Sequence, residues 1–146
     1  MRLWHKYLIP YLPKQQLLGQ WRECCCIARN IKMNGTPNHI LVNKIMDYPP
    51  SHFINYSAEV ARIMINRDYN IDFSKFTKHI DDIILVKCQQ LDKSEIFSDW
   101  HNERYLKQCF YNLQEKYDCG GITKNEYDKL KEATEMYKEW YKISRR

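Results

Sequence analysis

Three strong breaks, N-G-T-P at Asn34 to Pro37, Y-P-P at Tyr48 to Pro50 and C-G-G at Cys119 to Gly121, divide this 146-residue chain into separate runs. Within the runs, apolar residues recur every three or four positions. A strand would alternate with a period of two, so the pattern predicts amphipathic helices and an all-α fold class. The first long helix is expected over about 14–29, with Leu17, Leu18, Trp21, Cys24, Cys25 and Ala28 on one face. A short helix over 38–47 turns Ile40, Leu41, Ile45 and Met46 inward. A third, over 51–68, buries Phe53, Ile54, Val60, Ala61, Met64 and Ile65 and leaves Arg62 and Arg67 exposed as candidate phosphate contacts.

Residues 70–94 carry a weaker signal, in which I-D-D-I-I-L-V-K suits a short helix or a strand; the segment is read as helix. Two further helices, 95–117 and 123–143, flank the double glycine. The glycines stop the first, and T-K-N-E at Thr123 to Glu126 forms a capping box for the second. Tyr127, Leu130, Met136, Tyr137 and Trp140 give that last helix an apolar face. Pro10 and Pro13 break up residues 1–13, which read as an extended amino-terminal arm rather than a helix. The expected organisation is one helical domain over residues 1–146, with a carboxyl-terminal helix pair at 94–143.

Several classes are excluded at this stage. No stretch approaches the roughly 20 apolar residues that cross a bilayer. Arg2, His5 and Lys6 interrupt the start where a signal peptide would be apolar. An intracellular monomer, in cytoplasm or nucleoid and without a membrane partner, is the expectation. The six cysteines contain no C-x-x-C, and Cys24, Cys25 and Cys26 point about 100° apart on a helix, which prevents them from sharing one metal ion. They read as reduced, structural thiols; the least implausible zinc cluster is His101, Cys109 and Cys119.

Charge is unevenly distributed. Arg2, Lys6, Lys14, Arg22, Arg29, Lys32 and Lys44 are opposed before Asp47 by Glu23 alone. Residues 1–46 thus sum to +6 and the remainder to −1, so the excess positive charge of the chain lies in its first third. Such a segment attracts polyanions, because each neutralised phosphate releases counterions. Glu23 repels them, and is either an ion-pair partner or a group that performs chemistry. Arg22, Glu23 and Arg29 lie off the apolar stripe, facing a ligand or water.

The motifs M-R-L-W at Met1 to Trp4, L-L-G-Q-W-R-E at Leu17 to Glu23, N-H-I-L-V-N at Asn38 to Asn43 and N-R-D-Y-N-I at Asn66 to Ile71 together resemble the pyrimidine-dimer DNA glycosylase family, also known as phage-type endonuclease V. The resemblance covers residues 1–70, which would form the catalytic half. It implies a repair glycosylase with coupled abasic-site lyase activity on damaged or modified double-stranded DNA, requiring no metal or organic cofactor. In such enzymes the amine of the first residue attacks the anomeric carbon of a damaged nucleotide, and a glutamate moves protons. Carried over, the nucleophile is the α-amine of Met1 and the acid/base is Glu23. Arg2 as second residue leaves the initiating methionine in place. Arg2, Arg22, Arg29, Lys32, His39 and Lys44 are the implied DNA contacts. The family pattern has a histidine where this chain has Gln16 and an arginine where it has Cys26, and the end of the chain also differs.

The chemistry is sound on its own terms. An α-amine ordinarily titrates at about 7.7 to 8.0, far below lysine, so a useful fraction is neutral and nucleophilic at cellular pH. His5 lies close enough in sequence to support the site. Trp4 and Tyr56 would either stack on an extruded base or pack in the core, and His39 would either touch a phosphate or cap a turn. Two other functions fit the same residues: a non-catalytic nucleic-acid-binding module of this fold, and a helical protein that docks an acidic protein partner.

Overall fold

In the computed structural model, which describes residues 1–145, the apolar runs form six α-helices, with no strand among those residues. They are α1 (Lys14–Asn34), α2 (Pro50–Asn66), α3 (Ser74–Thr77), α4 (Asp82–Lys87), α5 (Glu103–Asp118) and α6 (Lys124–Ser144). Two 3-10 helices, Lys6–Tyr11 and Asn43–Asp47, precede α1 and α2. α1 ends at Gly35, whose φ of 76° lets its N–H reach Ile31 O at 2.8 Å. The capping box of α6 forms as expected, with Glu126 N–H donating to Thr123 Oγ1 at 3.2 Å and Thr123 N–H to Glu126 Oε1 at 3.0 Å. The other carboxylate oxygen of Glu126 accepts from Lys14 N–H, tying the start of α1 to α6.

α1 packs on α2, and α5 on α6. The amino-terminal segment joins the two pairs, contacting α2 and α6. Residues 1–5 run without helix, as the prolines imply, but Lys6–Tyr11 closes into a 3-10 helix with Pro10 inside it. Only short-range bonds are needed there, such as Leu8 N–H to His5 O at 2.9 Å, so the missing Pro10 N–H is tolerated. The segment does not lie free: Leu3, Leu8, Ile9 and Leu12 are core residues at 0–1% exposure. Burial of those side chains is what draws the chain inward.

The structure departs from the sequence pattern at four places. Residues 38–42 form no helix, because Asn38 adopts φ 58° and the side chains of Thr36 and Asn43 bind the loop backbone; Val42 and Ile45 face the core, while Ile40, Leu41 and Met46 are exposed. The helix expected from residue 95 begins only at Glu103, where Asn102 Oδ1 caps Tyr105 N–H at 2.9 Å. Upstream, Phe97 sits at φ 48°, which a helix cannot include. Residues 70–94 form only the short α3 and α4, and no residue of α4 is buried. Ile65, Met136 and Trp140 are also exposed, at the margins of their apolar faces.

Arg67 is not a free phosphate contact. Its guanidinium donates to the carbonyls of Leu12 at 2.7 Å and Pro10 at 2.8 Å, locking the amino-terminal segment to the end of α2. Arg62 instead forms a two-pronged pair with Glu59 on the surface. Replacing Arg67 by Met should cost about 2 kcal/mol in urea unfolding, the range for charged donors to buried acceptors, whereas Arg62→Met should cost under about 1 kcal/mol.

His5, 0% exposed, anchors the same segment: its Nδ1 accepts from Tyr7 N–H, and its Nε2 faces Asn102 O and Tyr141 Oη, each at 3.1 Å. Burial, then the Lys6 charge, lowers its pKa from 6.5 to about 3. His101, fully buried beside it, is lowered well below the usual imidazole range by burial and the charges of His5 and Lys6. The unfolded chain takes up protons below pH 6.5 and the folded chain does not until far lower, so stability is complete above that pH and lost as pH falls toward 3. Unfolding free energy should drop by about 2 kcal/mol from His5 alone between pH 7 and pH 5, and this part of the slope should vanish in His5→Gln.

Candidate active site

Gln20 and Glu23 lie three apart on one face of α1, so both point at the amino-terminal segment. An amide side chain offers a donor and an acceptor together. Gln20, 1% exposed, uses both: Nε2 donates to Arg2 O at 2.9 Å, and Oε1 accepts from Trp4 N–H at 2.7 Å. Nε2 also contacts Glu23 Oε2 at 3.3 Å. That same carboxylate oxygen accepts the Arg2 N–H at 3.2 Å. Among the described residues Glu23 forms no ion pair, so the salt-bridge reading of this residue is not the one realised.

The remaining carbonyls of the segment are held from the far side. Tyr56, fully buried on α2, donates to Trp4 O at 2.5 Å, and Tyr105 on α5 donates to Leu3 O at 2.6 Å. Burial raises both phenols, so both stay protonated donors at any physiological pH. Met1 is the first residue outside this clamp, with 38% of its surface exposed. Its α-amine is three covalent bonds from the Arg2 nitrogen, which by standard bond lengths puts it within about 7 Å of Glu23 Oε2.

Beside this centre opens a cleft of about 590 Å³. One wall is the 40–44 loop and the other is α5, which contributes Arg104, Gln108 and Asn112 at four-residue spacing. Arg2, Lys44 and Arg104 supply its charge, and no acidic residue lines it among the described residues. Arg2 belongs to both places: its main chain binds Glu23, while its side chain lines the cleft with the guanidinium 5.6 Å from the Trp4 ring centre.

The other sequence candidates fall elsewhere. Arg22 and Arg29 are exposed on α1 and do not line the cleft. Lys32 Nζ donates to Lys78 O at 3.1 Å. Desolvation and then the charges of Lys78, Lys32 and Arg29 lower the pKa of His79, which marks a second cationic patch at the end of α1. His39 is half-buried and serves its own loop, its Nδ1 accepting from Leu41 N–H at 3.3 Å. Gln16 shares the face of Gln20 and Glu23, with its Oε1 buried and unpartnered. His5 and Tyr56 are wholly buried and Trp4 is 8% exposed, so none offers a free face to an extruded base.

Lys6, counted in the basic excess, is 2% exposed, and its ammonium donates to Ser94 O and Ile96 O. Burial and the charge of Lys93 lower its pKa to about 8, yet it is sealed from any substrate. Cys24 is buried with its thiol pushed up to about 12 by burial; Cys25 is half-buried and Cys26 exposed, as helical rotation requires. His101 and Cys109 are buried while Cys119 is exposed past the end of α5, and among the described residues no group of three or more His, Cys, Asp or Glu side chains is placed to hold a metal ion. Nor is any described helix long and apolar enough to cross a membrane. Arg104, Gln108 and Asn112 were not singled out by sequence; their spacing along one helix face is the signal that marks them.

The profile of a family described as pyrimidine dimer DNA glycosylase matches residues 1–77, the part that carries Met1, Gln20, Glu23, Tyr56 and Arg67. No curated protein and no solved structure matches the chain. With over half its length matched, and with the matched part supplying Gln20, Glu23 and Tyr56 around residues 2–4, the chain belongs to the pyrimidine dimer DNA glycosylase family.

Proposed function

We propose that this protein excises a damaged pyrimidine from duplex DNA and then cleaves the strand, with the Met1 α-amine as nucleophile and Glu23 as acid and base. The observation that carries the reading is the bond from Arg2 N–H to Glu23 Oε2, which ties the start of the chain to the carboxylate. The reading requires the Met1 amine to be unblocked. Its neutral form donates its lone pair to form a bond to C1′ as the C1′–base bond breaks; the base leaves with the electrons of the broken bond and takes up a proton. The nitrogen loses a proton and the C1′–O4′ bond breaks, O4′ taking up a proton, which leaves a protonated imine between nitrogen and C1′. That imine acidifies C2′, Glu23 removes the C2′ proton, and the electrons expel the 3′ phosphate by β-elimination.

Every step uses groups of the chain itself. Gln20, Tyr56 and Tyr105 act as positioning residues by fixing the backbone of residues 2–4. Arg2, Lys44 and Arg104 meet phosphates at the cleft, and Arg22, Arg29, Lys32 and His39 extend the contact along α1 and its following loop. The working unit is a monomer.

Glu23→Gln keeps an oxygen that accepts the Arg2 N–H but removes the base. Strand cleavage should fall about a hundredfold or more, while duplex affinity holds or tightens because a repulsive charge is gone. Single-turnover cleavage and binding titrations read the two separately; weakened binding with unchanged single-turnover cleavage would contradict the assignment.

A further inference from the structure

Ile40 and Leu41 contradict the rule that large apolar side chains turn inward. Ile40 is 86% exposed and Leu41 47%, side by side, at the rim of the cleft whose described lining carries Arg2, Lys44 and Arg104 and no acid. They are not loose. Asn38 turns the chain at φ 58°; His39 N–H donates to Asn43 Oδ1 at 3.0 Å and Leu41 N–H to His39 Nδ1 at 3.3 Å. The N–H groups of Val42 and Asn43 both return to His39 O, and Val42 and Ile45 root the loop in the core. A braced loop thus projects two apolar side chains beside Arg2, Lys44 and Arg104.

A partner suited to this surface carries negative charge outside and apolar surface within. Stacked duplex DNA has that construction: phosphates answer the cations, and the faces of the bases answer the isoleucine and leucine. We infer that the Ile40–Leu41 tip is a wedge that enters the base stack at the damaged step and holds it open while the target nucleotide faces Met1. The inference rests on the proposed function and adds to it the element that unstacks the substrate. Chemistry at C1′ beneath a stacked base requires the step to be opened, and apolar side chains inserted between base pairs are a physical means of doing so. Arg2 links the two sites, since its side chain lines the wedge cleft and its main chain binds Glu23.

The test uses a duplex carrying a tetrahydrofuran abasic analogue flanked by 2-aminopurine, whose emission rises on unstacking and which cannot form an imine. The full chain should raise the emission several-fold at saturation, and Ile40→Ser/Leu41→Ser should lose most of that rise while duplex affinity changes less than about threefold, because the phosphate contacts remain. Ile40→Met, which keeps an apolar tip, should restore the rise. On a duplex containing a cyclobutane pyrimidine dimer, excision by the double variant should drop about tenfold, with a smaller loss at a preformed abasic site. Equal emission from the wild type and the double variant, or binding by the wild type with no emission change, would overturn the wedge. A wild-type borohydride adduct on abasic DNA in that same case would show that the amine chemistry stands without it, whereas loss of the adduct in the wild type would sink the underlying reading.

Discussion

A peptide segment that is buried without being helical leaves its N–H and C=O groups in need of partners, and an unmet group there costs about 1 to 3 kcal/mol. Residues 2–12 face that demand, and the side-chain amide of Gln20 meets its hardest part. It reads Arg2 O and Trp4 N–H as the edge of a neighbouring strand would. Tyr56, Tyr105, His101 and Arg67 complete the set, taking Trp4 O, Leu3 O, Lys6 N–H and the carbonyls of Pro10 and Leu12. These side chains come from α1, α2, α5 and the turn before α5. The amino-terminal segment is therefore what the helices are assembled around, and the position of Met1 follows from it.

That arrangement has an electrostatic counterpart. Glu23 lies where cations predominate, yet it is bound by a main-chain N–H and an amide rather than by an arginine. Its carboxylate is thus kept close to the chain start without an ion pair to occupy it. The cations are divided between the cleft patch of Arg2, Lys44 and Arg104 and the α1-end patch of Arg29, Lys32 and Lys78. Arg104 shows that α5, which lies beyond the matched family segment, supplies part of the surface nearest the candidate centre.

Much of the fold was legible because its signals are local. Helix spacing, the N-G-T-P turn and the Thr123–Glu126 capping box each depend on residues within one or two turns, although α1 runs on to Asn34, past the end near Arg29 that its apolar face suggested. The amino-terminal segment was less so: its prolines suggested an extended arm without helix, whereas Lys6–Tyr11 closes into a 3-10 helix and tertiary packing makes the segment a core element. Glu23 stood out by charge, and the family resemblance paired it with Met1. Gln20 did not stand out, since a polar residue amid an apolar face gives no hint of the backbone sixteen residues away that it binds. The same limit explains His5, read as site support, and Arg67, read as an exposed phosphate contact, both of which hold the segment instead; Tyr56 takes the core alternative of its two readings and binds Trp4 O from there. Ile40 and Leu41 were expected to face inward because periodicity cannot register the positive φ at Asn38.

In the proposed reaction the chain start, not a lysine, is the reacting amine. The most direct measurement is borohydride reduction of the untagged protein on duplex DNA bearing a natural abasic site, followed by proteolysis and mass mapping of the cross-linked peptide. A single adduct is expected at the Met1 α-amine, absent when that amine is acetylated, with Lys6 unmodified because its ammonium is buried against Ser94 O and Ile96 O. An adduct on Lys6 or on any other lysine, or no adduct from a protein that still binds the duplex, would contradict it.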